Sequence, residues 1–466
     1  MEKKQFHEVT PVIEDLAAKA QAADVIDSEL YVQNDVKRGL RDLNGVGVLA
    51  GLTHVSQVRA TKIVDGKKVP DYGQLTYRGY DIKDLVRGTA SSDRFGYEEV
   101  AYLLLFGDLP TEAELKTFSG ILAECRDLPL GFVRDVIMKK PSKHVMNTLS
   151  RSVLTLYAYD DHGNNNSLPS IVRKCIELIA RLPQLGVYGY YAYEHEKGDG
   201  SLYIIPPLED GSFAENLLHI LRPDGGYTQT EARVLDACML LHMDHGGGNN
   251  STFTTHVLSS TNTDVYSTMA AALGALKGPR HGGANIKVTK MLRDLESQLT
   301  DWNDDEAIAD YLTRVLHKEA FDGTGLIYGI GHAVYSLSDP RAEILEGFTE
   351  MLATEKGRSD EYMLYRKVAD LAPGIIASER HMFKGACANV DFYSGLVYDM
   401  LGLPEELFTP LFAMARIVGW SAHIIEEHAN NSKIIRPAYE GIEPEHAYVP
   451  LEEREGASPS ERIRPS

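Results

Sequence analysis

The chain has 466 residues, 43% hydrophobic and 24% charged, which is ordinary for a globular protein and long enough for two domains. Its formal net charge of -20 argues against nucleic acid or an anionic membrane as a partner, and no stretch approaches the roughly 18 apolar residues that span a bilayer. Four separated cysteines form no CxxC pair, and the N-terminus lacks signal-peptide or transit-peptide character. These features predict a cytoplasmic location.

Strand patterns are few. Residues 58–69 alternate around the pair Asp65-Gly66, which predicts a small β-hairpin. Residues 190–207 are rich in tyrosine and could hold a second short extended pair. The remaining sequence carries helical signals, so a mainly α fold with a few short β-hairpins is predicted.

Several helix boundaries can be predicted from local chemistry. Thr111 and Glu114 have the spacing of a capping box, and they predict a helix start. Residues 265–277 are rich in alanine and leucine and predict a buried helix. Thr409 before Pro410 predicts the N-cap of a further helix.

Histidines beside glycine clusters are the main functional signal. The segments LHMDHGGGNNSTF and LKGPRHGGAN contain His242, His245 and His281, and polar histidines of this kind suit proton transfer or anion binding. The HGGG run also occurs in lipases, but the G-x-S-x-G motif that lipases need is absent from the chain. His423 and His428 are five residues apart, about 140° around a helix, and cannot share a metal there. No metal site is predicted.

Two further segments each allow two interpretations. The segment GIGHAVYSLSDPR, with His332, Asp339 and Arg341, could belong to a functional site. It could instead be a turn that caps the following helix, since Asp before Pro suits helix initiation. In NVDFYSG, Asp391 lies among apolar residues, where burial raises the pKa of a carboxyl group. It could instead be the N-cap of the helix that follows.

Together, in this order and spacing, these segments resemble the citrate synthase family. The matching motifs are LTYRGYDIKDL, LHMDHGGGNNSTF, GPRHGGAN, GHAVYSLSDPR, NVDFYSG and the helix from Thr409 to His423. The resemblance implies an all-α homodimer. Each subunit would have a large domain, residues 1–282 and 403–466 with the C-terminal tail, and a small domain, residues 283–402, that closes over the cleft.

The resemblance also implies the reaction and its catalytic residues. Joining acetyl-CoA to oxaloacetate requires a base for a methyl proton, a donor to the thioester oxygen and a donor to the ketone. By motif match, Asp391 is the base, His281 the donor to the thioester carbonyl and His332 the donor to the oxaloacetate carbonyl. The implied enzyme is an acyltransferase of the tricarboxylic acid cycle that converts the acyl group to an alkyl group and needs no cofactor besides its CoA thioester substrate.

Oxaloacetate is a dianion, so guanidinium groups are expected around it. The residues that match the family's carboxylate-binding positions are His242, His245, Arg341, Arg416 and Arg436. The resemblance implies that Arg436 completes the neighbouring subunit's site. Arg280 and Lys384 are the candidates for binding CoA.

Three residues depart from the family pattern. Gly246 stands where a glutamate is usual, His256 where an arginine is common, and Ser336 where a basic residue often meets the CoA phosphates. Citrate synthase is the predicted activity, and 2-methylcitrate synthase acting on propionyl-CoA is the alternative. The departures also allow a family member without activity that binds CoA or tricarboxylates.

Overall fold

The computed structural model describes residues 8–42, 46–92, 94–198, 200–381, 385–430 and 433–454. The chain divides into two units, Met1–Leu52 and Thr53–Ser466. The first contains helices α1 (Pro11–Asp24) and α2 (Ser28–Gln33), neither of which has a buried residue. The predicted domain boundaries near residues 282 and 402 stay a prediction.

The second unit is built mainly from helices. They are α3 (Ile82–Ser91), α4 (Tyr97–Phe106), α5 (Glu112–Glu124), α6 (Val145–Leu156), α7 (Leu168–Lys197), α8 (Phe213–Leu221), α9 (Gln229–His242), α10 (Asn250–Ser259), α11 (Val265–Lys277), α12 (Ala284–Gln298), α13 (Asp305–Leu316), α14 (Pro340–Lys356), α15 (Ser359–Arg380), α16 (Val390–Met400) and α17 (Phe408–Ala429). The predicted capping box is confirmed, since Thr111 Oγ1 accepts from the Glu114 N–H and the Glu114 carboxylate accepts from the Thr111 N–H. The all-α class is confirmed.

One antiparallel sheet precedes these helices. Its strands are β1 (Ser56–Val64), β2 (Lys67–Tyr77) and β3 (Tyr80–Asp81), in that order. The turn between β1 and β2 is Asp65-Gly66, and both residues have positive φ, +50° and +76°. This is the backbone that a two-residue hairpin turn requires, so the predicted hairpin is confirmed.

The second extended pair, predicted for residues 190–207, is wrong. Helix α7 continues through Lys197 and ends at Gly198, which adopts φ +85° as the C-cap. Tyr188 and Tyr191 are buried on this helix and donate hydrogen bonds to backbone carbonyl groups. Tertiary packing has therefore overridden the strand preference of these tyrosines.

Helix α17 runs through the core and is almost entirely buried from Phe408 to Ile424. It begins at Phe408, so the predicted N-cap at Thr409 is wrong; Thr409 Oγ1 instead donates to the Gly282 carbonyl at 2.7 Å. The stretch Glu405–Ala429 is long and apolar enough to cross a membrane, but 89% of its apolar window lies inside the protein, as in a core helix.

Candidate active site

The segments that carry His332 and Asp391 are joined directly. Ile330 and Ala388 form an isolated antiparallel β-bridge, two residues before His332 and three before Asp391. Two groups that are 59 positions apart in sequence are thereby held by neighbouring backbone. The bridge explains how a loop residue and a helix residue can act at one site.

The hydrogen bonds of His332 define its tautomer. Its Nδ1 accepts from the backbone N–H groups of Val334, at 3.0 Å, and Tyr335, at 3.2 Å. Because Nδ1 accepts, the proton of the neutral ring is on Nε2. The ring lies 5.0 Å from the ring of His245, edge to face. His332 is therefore a neutral-ring donor through Nε2, as its predicted role requires.

Asp391 is the second residue of α16 and is mostly buried. Asn389, and not Asp391, is the N-cap, because its Oδ1 accepts from the Asp391 N–H at 3.0 Å. The alternative interpretation of Asp391 as an N-cap is therefore wrong. Burial raises the pKa of Asp391 to about 6, and the guanidinium groups of Arg341 and Arg416 oppose this shift. A carboxylate of this kind is a stronger base than an exposed one.

His281 lies just before α12, whose N-cap is Gly283. Burial, assisted by the charge of Arg416, lowers the pKa of His281 to about 4, so the ring is neutral near pH 7. Its Nε2 contacts Ser251 Oγ at 3.1 Å, and Ser251 also accepts from the Trp420 indole N–H at 3.2 Å. Ser251 therefore contacts one of the two ring nitrogens of His281, Nε2.

Two buried arginines flank the base. Arg341 forms a two-point ion pair with Asp339, through Nε at 3.0 Å and Nη2 at 2.7 Å. Arg416 donates through Nε to the His242 carbonyl at 2.7 Å, whereas its Nη1 is buried and makes no hydrogen bond within the described residues. Burial lowers the pKa of Arg416 to about 10, and the group stays charged. A buried guanidinium nitrogen without an acceptor is a site for an anion.

The two remaining predicted histidines differ in what they can bind. His242 is fully buried, and its Nδ1 donates to the Cys238 carbonyl at 2.5 Å. Burial lowers its pKa to about 3, so its Nε2 is an acceptor and is poorly suited to a carboxylate. Burial and the charge of Arg341 also lower the pKa of His245, whose Nε2 is buried without a hydrogen bond in the described ranges.

The remaining predicted residues are either exposed or outside the described residues. Arg436 and Arg280 are exposed and make no hydrogen bond or ion pair with any described residue. Lys384 lies outside the described residues. The carboxylate-binding and CoA-binding roles of these three stay predictions.

A cavity of about 280 Å³ opens beside His332 and was not predicted. Its walls are mostly apolar and are lined by Leu316, Leu326, Ile327, Ile330, Ala333, Tyr335, Ser336, Ile376 and Arg380. Arg380 is the charged side chain among these wall residues, and it donates to the Gly325 carbonyl. It is the last residue of α15 and belongs to none of the motifs, so the motif comparison gave no signal for it.

The structure shows the surroundings of the three residues that depart from the family pattern. Gly246 adopts φ +84°, a conformation that a glutamate would adopt only with strain. His256 contacts the Glu427 carboxylate through Nδ1 at 2.7 Å. Ser336 is 5% exposed and lines the cavity beside His332.

Comparisons with known proteins identify the family of the chain. The family described as "Citrate synthase, C-terminal domain" matches residues 43–438. A citrate synthase of Haloferax volcanii is 35% identical over 91% of this chain and 100% of its own length. A 2-methylcitrate synthase of Corynebacterium glutamicum is 32% identical, covering 90% of this chain and 99% of its own.

Solved structures show the same relationship. The citrate synthase of Thermotoga maritima superimposes with a TM-score of 0.68 at 29% identity, over 90% of this chain and 99% of its own. A citrate synthase of Thermoplasma acidophilum, in a ternary complex with carboxymethyl coenzyme A and oxaloacetate, gives 0.71 at 26% identity, with coverage of 90% and 99%. The fold and the site thus define an all-α acyltransferase. The chain belongs to the citrate synthase family.

Proposed function

We propose that the chain condenses acetyl-CoA with oxaloacetate and water to give citrate and free CoA, in the cytoplasm, as a step of the tricarboxylic acid cycle. The observation that carries the proposal is the buried guanidinium of Arg416, whose Nη1 makes no hydrogen bond within the described residues, near Asp391, whose pKa is raised to about 6. A dianion that pairs with Arg416 and Arg341 is placed next to a base. His332 donates to its ketone oxygen through Nε2.

The first step forms an enol. Asp391 takes a proton from the methyl carbon of the thioester, and His281 gives its ring proton to the thioester oxygen, which produces the enol. Since Nε2 of His281 faces Ser251, this role needs the proton on Nδ1, and Ser251 must then donate to Nε2. In the structure Ser251 donates to Asn249 Oδ1 at 3.0 Å. When Ser251 donates to His281 instead, the Asn249 amide would turn so that its NH2 group faces the Ser251 oxygen.

The second step forms the carbon–carbon bond. The enol carbon attacks the ketone of oxaloacetate, the enol O–H proton returns to His281, and the ketone oxygen takes up the proton of His332 Nε2 as citryl-CoA forms. The proton that Asp391 took from the methyl group then restores His332. Water then cleaves the thioester to release citrate and CoA. Closure of the cleft over both substrates would keep water from acetyl-CoA before this point.

The cavity beside His332 supports CoA as the second substrate. A CoA thioester must bring its acyl group between His281 and Asp391, and the apolar cavity of about 280 Å³ lies next to His332. Arg380 at its wall adds a positive charge for a ribose or phosphate group. We propose Arg380 beside the motif-derived candidates Arg280 and Lys384.

We also propose a homodimer in which Arg436 enters the partner's cleft. Arg436 is exposed and makes no hydrogen bond or ion pair with any described residue. Its segment also exposes apolar side chains, among them Ile434, Tyr439 and Tyr448. Exposed apolar residues beside an unpaired arginine fit a contact with a second copy.

A thiol-release assay tests the proposal. Free CoA is measured with acetyl-CoA or propionyl-CoA, with and without oxaloacetate. Release that depends on oxaloacetate and is faster with acetyl-CoA is the expected result. Faster release from propionyl-CoA would identify a 2-methylcitrate synthase. The two rates have to be compared directly, because one methylene is worth only about 1 to 3 kcal/mol in such a pocket. No oxaloacetate-dependent release from either would leave the chain as a binding protein for CoA or tricarboxylates.

A further inference from the structure

Asn389 makes hydrogen bonds to two different parts of the site. Its Oδ1 accepts from the Asp391 N–H at 3.0 Å, at the start of α16. Its Nδ2 donates to the Gly331 carbonyl at 2.9 Å, one residue before His332. Its backbone N–H donates to the Gly329 carbonyl at 2.9 Å. Both ends of one amide side chain are therefore used, one toward each catalytic segment.

The loop that Asn389 holds needs such support. Gly329 and Gly331 have φ of +77° and +101°, so the chain turns twice immediately before His332. A Cβ at Gly329 would lie 2.7 Å from a methyl group of Val288 and 2.8 Å from the Phe392 ring, so the loop is packed closely against α12 and α16. The position of His332 is thus set by this loop and by the segment against which it pairs.

Capping alone does not account for an asparagine at this position. Serine, threonine or aspartate would cap α16 equally well, because the cap needs only an oxygen that accepts. The bond to the Gly331 carbonyl needs a donor at the same time, and the amide supplies both. The second bond adds a side-chain link to the backbone hydrogen bonds that join the segments of the base and the histidine, namely Asn389 N–H to the Gly329 carbonyl and Gly331 N–H to the Cys387 carbonyl.

We propose that Asn389 is a positioning residue that fixes Asp391 and His332 relative to each other. The inference rests on the proposed function for its effect on rate, but the geometry itself does not depend on the substrates. Asn389 touches neither reacting atom in this arrangement. It acts through the residues that it holds.

The test compares Asn389→Ser with a matched cap variant. Serine keeps the cap of α16 and is too short to reach the Gly331 carbonyl. The control is Asp304→Ser, at the N-cap of α13 and away from the cleft. Asp304 Oδ1 accepts from the backbone N–H groups of Glu306 and Ala307. Because small misplacements of reacting groups are costly, Asn389→Ser should lower kcat by about 10-fold to 100-fold while KM for oxaloacetate changes little. Asp304→Ser should leave both unchanged.

A double-mutant cycle identifies the route of the effect. If Asn389 acts through His332, its replacement by serine should cost much less in a His332→Gln background than in the native chain. An equal cost in both backgrounds, or a native kcat for Asn389→Ser, would overturn the inference while leaving the proposed function intact.

Hydrogen exchange gives a readout that needs no activity. Amides in residues 329–336 should exchange faster in Asn389→Ser than in the native chain and in Asp304→Ser. Unchanged exchange in this segment would refute the positioning role, even if the native chain proved inactive with both acyl-CoA substrates and the proposed function had failed.

Discussion

Single residues in the cleft are tuned by burial more than by their immediate partners. Desolvation is the largest cause of the raised pKa of Asp391 and of the lowered pKa values of His242, His245 and His281. The result is a set of neutral imidazoles around a basic carboxylate. A neutral ring donates through one nitrogen and accepts through the other, as the proposed roles of His281 and His332 require.

Replacing the base separates catalysis from binding. Asp391→Asn should lower kcat by about 10²-fold to 10⁴-fold, the usual contribution of general acid–base catalysis. The affinity for oxaloacetate should change little, because Arg341 and Arg416 remain. Steady-state kinetics and calorimetric titration with oxaloacetate measure the two quantities. A large loss of affinity would mean that Asp391 belongs to the binding residues.

The pKa of Asp391 also predicts a pH profile. Its raised value of about 6 means that the base becomes protonated as the pH falls below 6, so kcat/KM for acetyl-CoA should fall about tenfold per pH unit there. Folding stability responds in the opposite direction, since a raised carboxyl pKa favours the folded state at low pH and this contribution is lost as the pH rises through about 6. His281, with a pKa of about 4, stays neutral across this range. A flat profile between pH 5 and 7 would contradict the assignment of the base.

Residue types in the site could be predicted from the motifs, but their partners could not. Asp391, His281 and His332 were assigned by their match to the family's motifs, and their catalytic roles stay predictions. Asn389 and Trp420 were not, because their roles depend on contacts with Gly331 and Ser251, which lie 58 and 169 positions away. Nothing in a local pattern encodes a hydrogen bond of that sequence separation.

At the scale of elements, α17 and the turn before α10 form a close contact. Gly419 packs its Cα against this turn, and its N–H donates to the Met243 carbonyl at 3.2 Å. A Cβ at Gly419 would collide with that carbonyl and lie 2.5 Å from Asp244 Oδ1. The same turn carries His245. The close approach of α17 to this turn therefore depends on Gly419 having no side chain.

A single methyl group should disturb this contact. Gly419→Ala is expected to destabilise the protein by about 1 to 3 kcal/mol through overpacking and to weaken oxaloacetate binding through the shifted His245 turn. Thermal unfolding and oxaloacetate titration measure the two effects. Gly347→Ala in α14 is the control: no atom lies within 4 Å of its added Cβ, and alanine there should be neutral or stabilising. Similar unfolding temperatures for both variants would contradict this account of the contact.

Elements defined by strong local signals could be predicted, and those decided by packing could not. The Asp65-Gly66 turn and the Thr111 capping box carry their own chemistry, and both were found. The tyrosines of residues 188–193 favour strands locally, but α7 buries two of them and stays helical. Thr409 resembles an N-cap, yet the helix begins one residue earlier and the hydroxyl bonds to Gly282.

At the scale of the whole molecule, the proposed dimer makes a prediction about mixed subunits. Asp391→Asn and Arg436→Ala chains should each be nearly inactive alone. When both are produced together, a heterodimer contains one cleft with a native Asp391 from one chain and a native Arg436 from the other. Random pairing then restores about one quarter of the sites. Activity of the co-expressed mixture, against separately purified variants, is the measurement.

The same experiment decides between the two placements of Arg436. If it acted within its own subunit, every cleft of the mixture would carry a defect, and mixing would restore nothing. Native activity of the Arg436→Ala chain alone would remove the residue from the site altogether. The homodimer and the roles of the exposed arginines could be predicted only by resemblance, since one chain shows no partner.

The unsatisfied Nη1 of Arg416 also has a consequence for how long the protein should persist. A buried donor without an acceptor lowers the stability of the empty fold, and an anion that binds the folded chain raises its free energy of unfolding by RT ln(1 + [L]/Kd). Proteolysis follows the population of opened chains when opening is fast. A cell short of the dicarboxylate would therefore be expected to degrade this protein sooner, so that its abundance follows the supply of the metabolite it consumes.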